Sequence, residues 1–187
     1  MKAVLLDVPD ALLDERRAKG LDKMDEMWDG VVHMVPPAGS AHGGVGTDLL
    51  LVLGPVARTL GLRPFADGTG VFRTAKDYRV PDQQFVRPEL VTPRGVEGAV
   101  EFLVEIRSPR DETYEKLDWY AARGVREVLI VEPLTRAVEL YVTRGGRLLP
   151  LSPDADGALT SSVLGLRFAT VDGPLLRITG EGVDASI

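Results

Sequence analysis

A carboxylate stands inside an apolar strand pattern at Glu105. From Glu101 to Arg107 the residues alternate, with Phe102, Val104 and Ile106 on one side and Leu103, Glu105 and Arg107 on the other. An ionised carboxylate among Leu, Val and Ile is costly unless it is paired, protonated or bound to a metal, so Glu105 needs a partner. Three candidates are near in sequence. Asp82 heads another short apolar strand 23 residues upstream, Arg107 shares the face of Glu105, and Lys116 opens the helix that follows. Two carboxylates and a cation arriving from two strands and a helix suit a divalent metal and a phosphate. The same residues also suit a buried structural network, with Glu105 paired to Arg107 or Lys116 and Asp82 capping a turn. Spacing alone favours the structural network, since structural ion pairs also create unusual carboxylates.

Composition narrows the chemistry. The 187 residues contain no Cys, which removes disulfides, thiolate nucleophiles and Cys-based zinc sites, and the two His residues, His33 and His42, are too few for a His-rich metal site. Any metal is therefore held by oxygen ligands, which favours Mg²⁺ or Mn²⁺. A net charge of −6 argues against broad nonspecific nucleic-acid binding, because phosphate contacts come chiefly from Lys and Arg. Its distribution is uneven: Asp7 to Asp29 holds eight acidic and four basic residues, Arg58 to Arg94 seven basic and four acidic, so a locally basic face beside an acidic site is compatible. The length suits a single domain over residues 1–187, and the absence of a membrane-length apolar run or a secretion-signal pattern points to the cytoplasm.

The elements that must position these residues follow from pattern. The opening VLLDVPDALLDERRAKGL predicts a helix capped by Asp7 or Asp10 and stopped at Gly20. MDEMWDGVVHMVP predicts a hairpin around Asp29 and Gly30, with Glu26 just before the turn, where an acid by itself faces solvent. Val45, Leu49, Val52, Leu53, Val56 and Leu60 repeat at helical spacing from Ser40 to Gly61, with Pro55 expected to kink or split the helix. Glycines and His42 at its head would let its N-terminus approach a phosphate, or His42 is a structural hydrogen-bonding residue. Two short strands are predicted around Asp67 and Gly68, and another over VPDQQFV with Pro81 at its start. After EFLVEIR, Ser108 or Asp111 is placed to cap a helix carrying Lys116 and Tyr120 four apart on one face and ending at Gly124. REVLIVEP then reads as a doubly buried strand, so strand, helix and strand form a right-handed crossover onto a parallel pair. A hairpin around Gly145 and Gly146 and a tail of short strands from Asp154 complete the chain.

Taken together, Glu26 to Gly30, His42 before a helix, the Pro81–Asp82 pair, EIRSP from Glu105, Asp111 with Lys116 and Tyr120, and GVRE from Gly124 resemble the Uma-type restriction endonuclease family of the PD-(D/E)XK nuclease superfamily. The resemblance spans nearly the whole chain. It implies an α/β restriction-endonuclease-like fold, a mixed central β-sheet flanked by helices, with additional β-hairpins. It also implies a metal-dependent nuclease acting on nucleic acid, DNA first among the candidates, and a homodimer by analogy. Asp82 and Glu105 match the two acidic metal ligands, and Glu26 an upstream acid that joins them. Where the superfamily has a Lys two residues after the Glu, this chain has Arg107, which stays protonated and orients Glu105 or stabilises a phosphate. Lys116 matches a helix Lys in the family pattern and is the preferred catalytic cation. His42, Gln83 and Tyr120 are the expected substrate contacts, Gln83 standing where the family has an apolar residue. The alternative that the resemblance leaves is a noncatalytic nucleic-acid-binding or assembly module of the same fold. A sugar-processing pair of acids is a weaker third reading, since such acids face each other across a cleft rather than a nearby Lys.

Overall fold

The central layer of the computed structural model, which describes residues 3–5, 8–66, 68–108 and 112–187, is a six-stranded sheet. Across it run Arg147–Pro150, Val138–Arg144, Glu127–Val131, Phe102–Ile106, Gln83–Val86 and Arg63–Ala66. Phe102–Ile106 and Glu127–Val131 are parallel, as the crossover through the intervening helix requires, and the other pairs are antiparallel. Both parallel strands are buried at every residue.

The period of two along Phe102–Ile106 divides the interior into two cores. Phe102, Val104 and Ile106 pack with Val45, Leu49 and Leu53 of the long helix Ser40–Thr59 and with Phe168, Leu176 and Ile178 of a C-terminal sheet. That sheet orders Leu159–Thr160, Leu166–Val171, Leu175–Gly180 and Val183–Ser186 as an antiparallel meander. On the other side Leu103, Val128 and Ile130 pack with Tyr120 and Ala121 of the short helix Leu117–Ala122 and with Val71 and Val96. Val71 and Val96 belong to a seven-stranded ribbon that orders Ala3–Leu5, Val31–Met34, Glu26–Trp28, Asp77–Arg79, Val71–Thr74, Gly95–Val96 and Val91–Thr92.

Several expectations need correction. The opening stretch is not all helical: Ala3–Leu5 is a strand paired with Val31–Met34, and the helix is confined to Asp10–Ala18. Pro9 occupies the position before that helix and Asp10 is its first residue, with no side-chain cap; Asp7 lies outside the described residues. Pro55 does not split Ser40–Thr59. The strands on either side of Gly68 enter different sheets, Arg63–Ala66 the central one and Val71–Thr74 the ribbon, while Asp67 is outside the described residues. Ser108 does not cap the following turn, Tyr114–Lys116, and Asp111 also lies outside the description. Among the described residues no helix is long and apolar enough to cross a membrane.

Candidate active site

The hairpin turn at Asp29 and Gly30, both at positive φ (47° and 91°), sets the first piece of the site. A two-residue loop fixes the register, so Glu26 falls opposite His33 and both are buried. The second piece comes where the chain leaves the ribbon after Asp77–Arg79 and enters the central sheet at Gln83. Pro81 at this crossing has no N–H to offer either ladder. The neighbouring Val80 N–H instead donates to Glu26 Oε1 at 2.9 Å, tying the hairpin to the crossing beside Asp82.

Asp82 is held from two sides. The backbone N–H of Ile106 donates to Oδ2 at 2.6 Å, and His42 Nε2 lies 2.9 Å from Oδ1. Because a carboxylate only accepts, the proton of that second bond sits on Nε2. In the neutral ring Nδ1 is then the acceptor for Ser108 Oγ, 3.3 Å away. The long helix brings His42 there and packs closely on the strand at Gly46. A Cβ at Gly46 would stand 3.3 Å from Ile106 Cδ1, a tight contact that the end of the Ile106 side chain would have to yield to by a few tenths of an ångström.

Glu105 completes the carboxylate group from the middle of Phe102–Ile106. Lys116 Nζ is 3.2 Å from each of its oxygens and 2.9 Å from Glu26 Oε1, and Tyr120 OH donates to Glu105 Oε1 at 2.5 Å. The helical spacing of four between Lys116 and Tyr120 lets both reach one carboxylate. Burial pushes the Glu105 carboxyl up to about 7, against the opposing pull of Lys116, and the nearby charges of Asp82 and Glu26 add to the rise. Burial works against the charge of Lys116, but the attraction of Glu105 and Glu26 outweighs it and holds the ammonium above its ordinary range.

Glu26, Asp82, Glu105, His42 and Lys116 all line one cavity of about 580 Å³. The other three expected site residues are absent from its lining. Arg107 turns away, its guanidinium 5.3 Å over the Tyr114 ring. Gln83 is buried against the long helix, where its Nε2 donates to the Gly46 carbonyl at 2.6 Å. Tyr120 is wholly buried behind Glu105. Gln83 and Tyr120 thus lie behind the cavity rather than in contact with its contents.

Sequence reasoning missed a second rank of residues. His33 lines the cavity with its Nδ1 2.7 Å from Glu112 Oε2, and its ring stacks on Trp28 at 4.2 Å. Trp28 Nε1 donates to Glu26 Oε2 at 2.7 Å, and the Arg79 guanidinium fills the space between Trp28 and Trp119, 4.2 and 4.6 Å from the two rings. The two-residue turn was a signal that could have found His33, since it dictates the pairing with Glu26.

The carboxylates are hard oxygen donors, the right kind for Mg²⁺ or Mn²⁺. Among the described residues no three His, Asp or Glu side chains stand in ready-made coordination geometry. The positive charge that Glu26 and Glu105 require is supplied by Lys116. The donor types thus fit such a cation in chemistry, while Lys116 lies against two of the three acids and Asp82 is held by His42 and the Ile106 N–H.

The family described as Uma2, putative restriction endonuclease, matches residues 14–172. Among solved structures, a putative nuclease belonging to DUF820 from Anabaena variabilis superimposes with a TM-score of 0.59 at 16% identity, covering 75% of this chain and 83% of that one. At that identity the likeness shows the fold, which is restriction-endonuclease-like. No curated protein matches the chain.

Proposed function

Since the chain belongs to the Uma2 family of putative restriction endonucleases, we propose that it hydrolyses phosphodiester bonds of DNA at the Glu26, Asp82, Glu105 and Lys116 cluster, with Mg²⁺ or Mn²⁺ as cofactor. The observation that carries this reading is convergence. Three acids from a hairpin, a sheet crossing and a central strand meet one lysine in the wall of one cavity, with Lys116 Nζ within 3.2 Å of two of them.

Glu26, Asp82 and Glu105 would hold the cation. When bound, it would polarise the scissile phosphate and lower the pKa of a water. The chain's own groups have distinct tasks. Lys116 keeps its proton on Nζ, because its two acidic neighbours favour the ammonium, so it donates to a nonbridging phosphate oxygen and offsets the charge that grows there rather than serving as a proton acceptor. Tyr120 orients Glu105 by donating to Oε1. The Ile106 N–H and His42 fix the plane of Asp82. Trp28 fixes Glu26 through Oε2.

A noncatalytic nucleic-acid-binding module is the second reading. One observation favours it: Lys116 already neutralises Glu26 and Glu105 within a closed hydrogen-bonded network. Calorimetric titration of Mn²⁺ separates the two. Binding to the native protein and its loss in Asp82→Asn is the outcome expected here, and the same heat trace for both proteins would favour the module.

A further inference from the structure

We propose that the end of the central sheet remote from the cavity is a DNA contact in its own right, a row of arginines that holds the backbone of a duplex; it does not depend on the hydrolysis proposed above. Each of the six central strands has a charged residue at or next to that end. In sheet order these are Arg147, Arg144, Arg126, Glu101, Arg87 and Arg63, and the strand registers set them level to within about one residue. Five cations thus stand beside one anion, and all five are exposed.

The row keeps its N–H groups for an outside partner. Glu101 accepts from Arg126 Nη1 at 2.7 Å and from Arg87 Nε at 3.1 Å, which sets the two guanidiniums side by side and uses one nitrogen of each. Arg63 lies over the Phe65 ring, 5.0 Å from its centroid. Arg144 and Arg147 face each other directly across the Gly145–Gly146 turn, and neither has an ion-pair partner among the described residues. Like charges placed opposite on a hairpin oppose folding, so stability does not account for this pair. An anion lying between them does.

The spacing suits a phosphate backbone. Strands about 4.8 Å apart make the row about 24 Å long. That is about seven phosphates of one DNA strand at about 3.4 Å each. A guanidinium meets a phosphate with two parallel N–H groups. Single strands are held by rings on which their bases stack, and the Phe65 ring at this row is already covered by Arg63. The contact is therefore with backbone rather than bases.

The net charge of −6 does not prevent it. Glu105 is four residues along its strand from Glu101, about 13 Å away, and charge is screened over about 8 Å at physiological salt. The same separation keeps DNA on the row clear of the cavity, so the row holds DNA without touching the reacting phosphate.

The test is fluorescence anisotropy of a labelled duplex of arbitrary sequence, titrated in EDTA at rising salt with the native protein and with the double variant Arg144→Gln, Arg147→Gln. The native protein is expected to bind, and the variant to bind about tenfold more weakly at low salt, with the slope of log affinity against log salt shallower by about two. The variant is expected to match or exceed the native Tm, because it removes a repulsion at an exposed turn. Equal affinity and slope for the two proteins overturn the inference, and so does a native protein that binds no duplex. Binding to phosphatidylserine vesicles in place of the duplex overturns it in favour of a membrane surface. Because EDTA removes any metal, the result stands apart from hydrolysis: a protein that binds through these arginines and never cuts DNA supports the row and refutes the proposed function.

Discussion

Glu105 and Glu127 lie on adjacent parallel strands, both nearly inaccessible, at 3% and 1% exposure, yet they are built for opposite ends. Glu127 is surrounded by neutral donors: Ser161 Oγ, the Ser162 N–H at 2.9 Å and Ser162 Oγ at 2.6 Å. It ties the turn of the C-terminal sheet to the central sheet and does not line the cavity that Glu105 faces. Glu105 faces a cavity, shares its lysine with Glu26, and is crowded by the charges of Glu26 and Asp82. A buried carboxylate is therefore no sign of chemistry by itself. What separates the two is the gathering of like charges on one open wall, an arrangement that stability alone does not favour.

The comparison breaks first on activity. Glu105→Gln should lower phosphodiester hydrolysis by about a thousandfold, and Lys116→Met by about a hundredfold or more, since the first removes a proposed cation ligand and the second the ammonium proposed to meet the reacting phosphate. Glu127→Gln should leave the rate within about twofold, because that residue touches nothing in the cavity. Equal losses at the two glutamates, measured on folded protein, would erase the distinction.

Stability should reverse the order. Glu127→Ala strips the partner from one buried donor, Ser161 Oγ, and from two part-buried ones of Ser162, and a loss of about 1–2 kcal/mol in denaturant unfolding is expected. A change below about 0.5 kcal/mol would mean that the turn finds its donors other partners.

The smallest effect belongs to Glu101, just before the same strand. Burial raises its pKa, but hydrogen bonds from Arg126 at 2.7 Å and Arg87 at 3.1 Å outweigh that and bring it below the ordinary value. A depressed carboxyl contributes stability that is present above its unfolded pKa and disappears as pH falls through the folded one. Glu101→Gln should therefore flatten the acid limb of the unfolding curve below about pH 4.5, and by less than about 1 kcal/mol, because both arginines are half exposed. An unchanged acid limb would show that the rim pairs contribute nothing.

Much of the frame was legible in the chain. The alternation around Val104 assigns side chains to the two cores, and the structure has Phe102, Val104 and Ile106 in one and Leu103 in the other. Gly145 and Gly146 take positive φ at the hairpin they signal, and the apolar run after Arg126 is the parallel partner of Phe102–Ile106. Local patterns of this kind are readable because steric limits and burial act residue by residue.

The site was only half legible, because its members meet through pairings distant in sequence. Glu26 carried no signal of burial, since its neighbours suggest a solvent-facing turn. It is buried because the ribbon folds against the crossing at Val80 and Asp82. Gln83 and Tyr120 read as substrate contacts from their places beside Asp82 and Lys116, but packing turns one to Gly46 and the other behind Glu105. By itself the sequence determined the strands, the turns, the parallel crossover and the residue types able to do oxygen-ligand chemistry, all set by local sterics and periodicity. Only the tertiary structure decided that Glu26 and Glu105 share one lysine beside Asp82 while Glu127, one strand away, is met by serines, because that depends on how the ribbon, the central sheet, the long helix and the Tyr114–Lys116 turn close around one cavity.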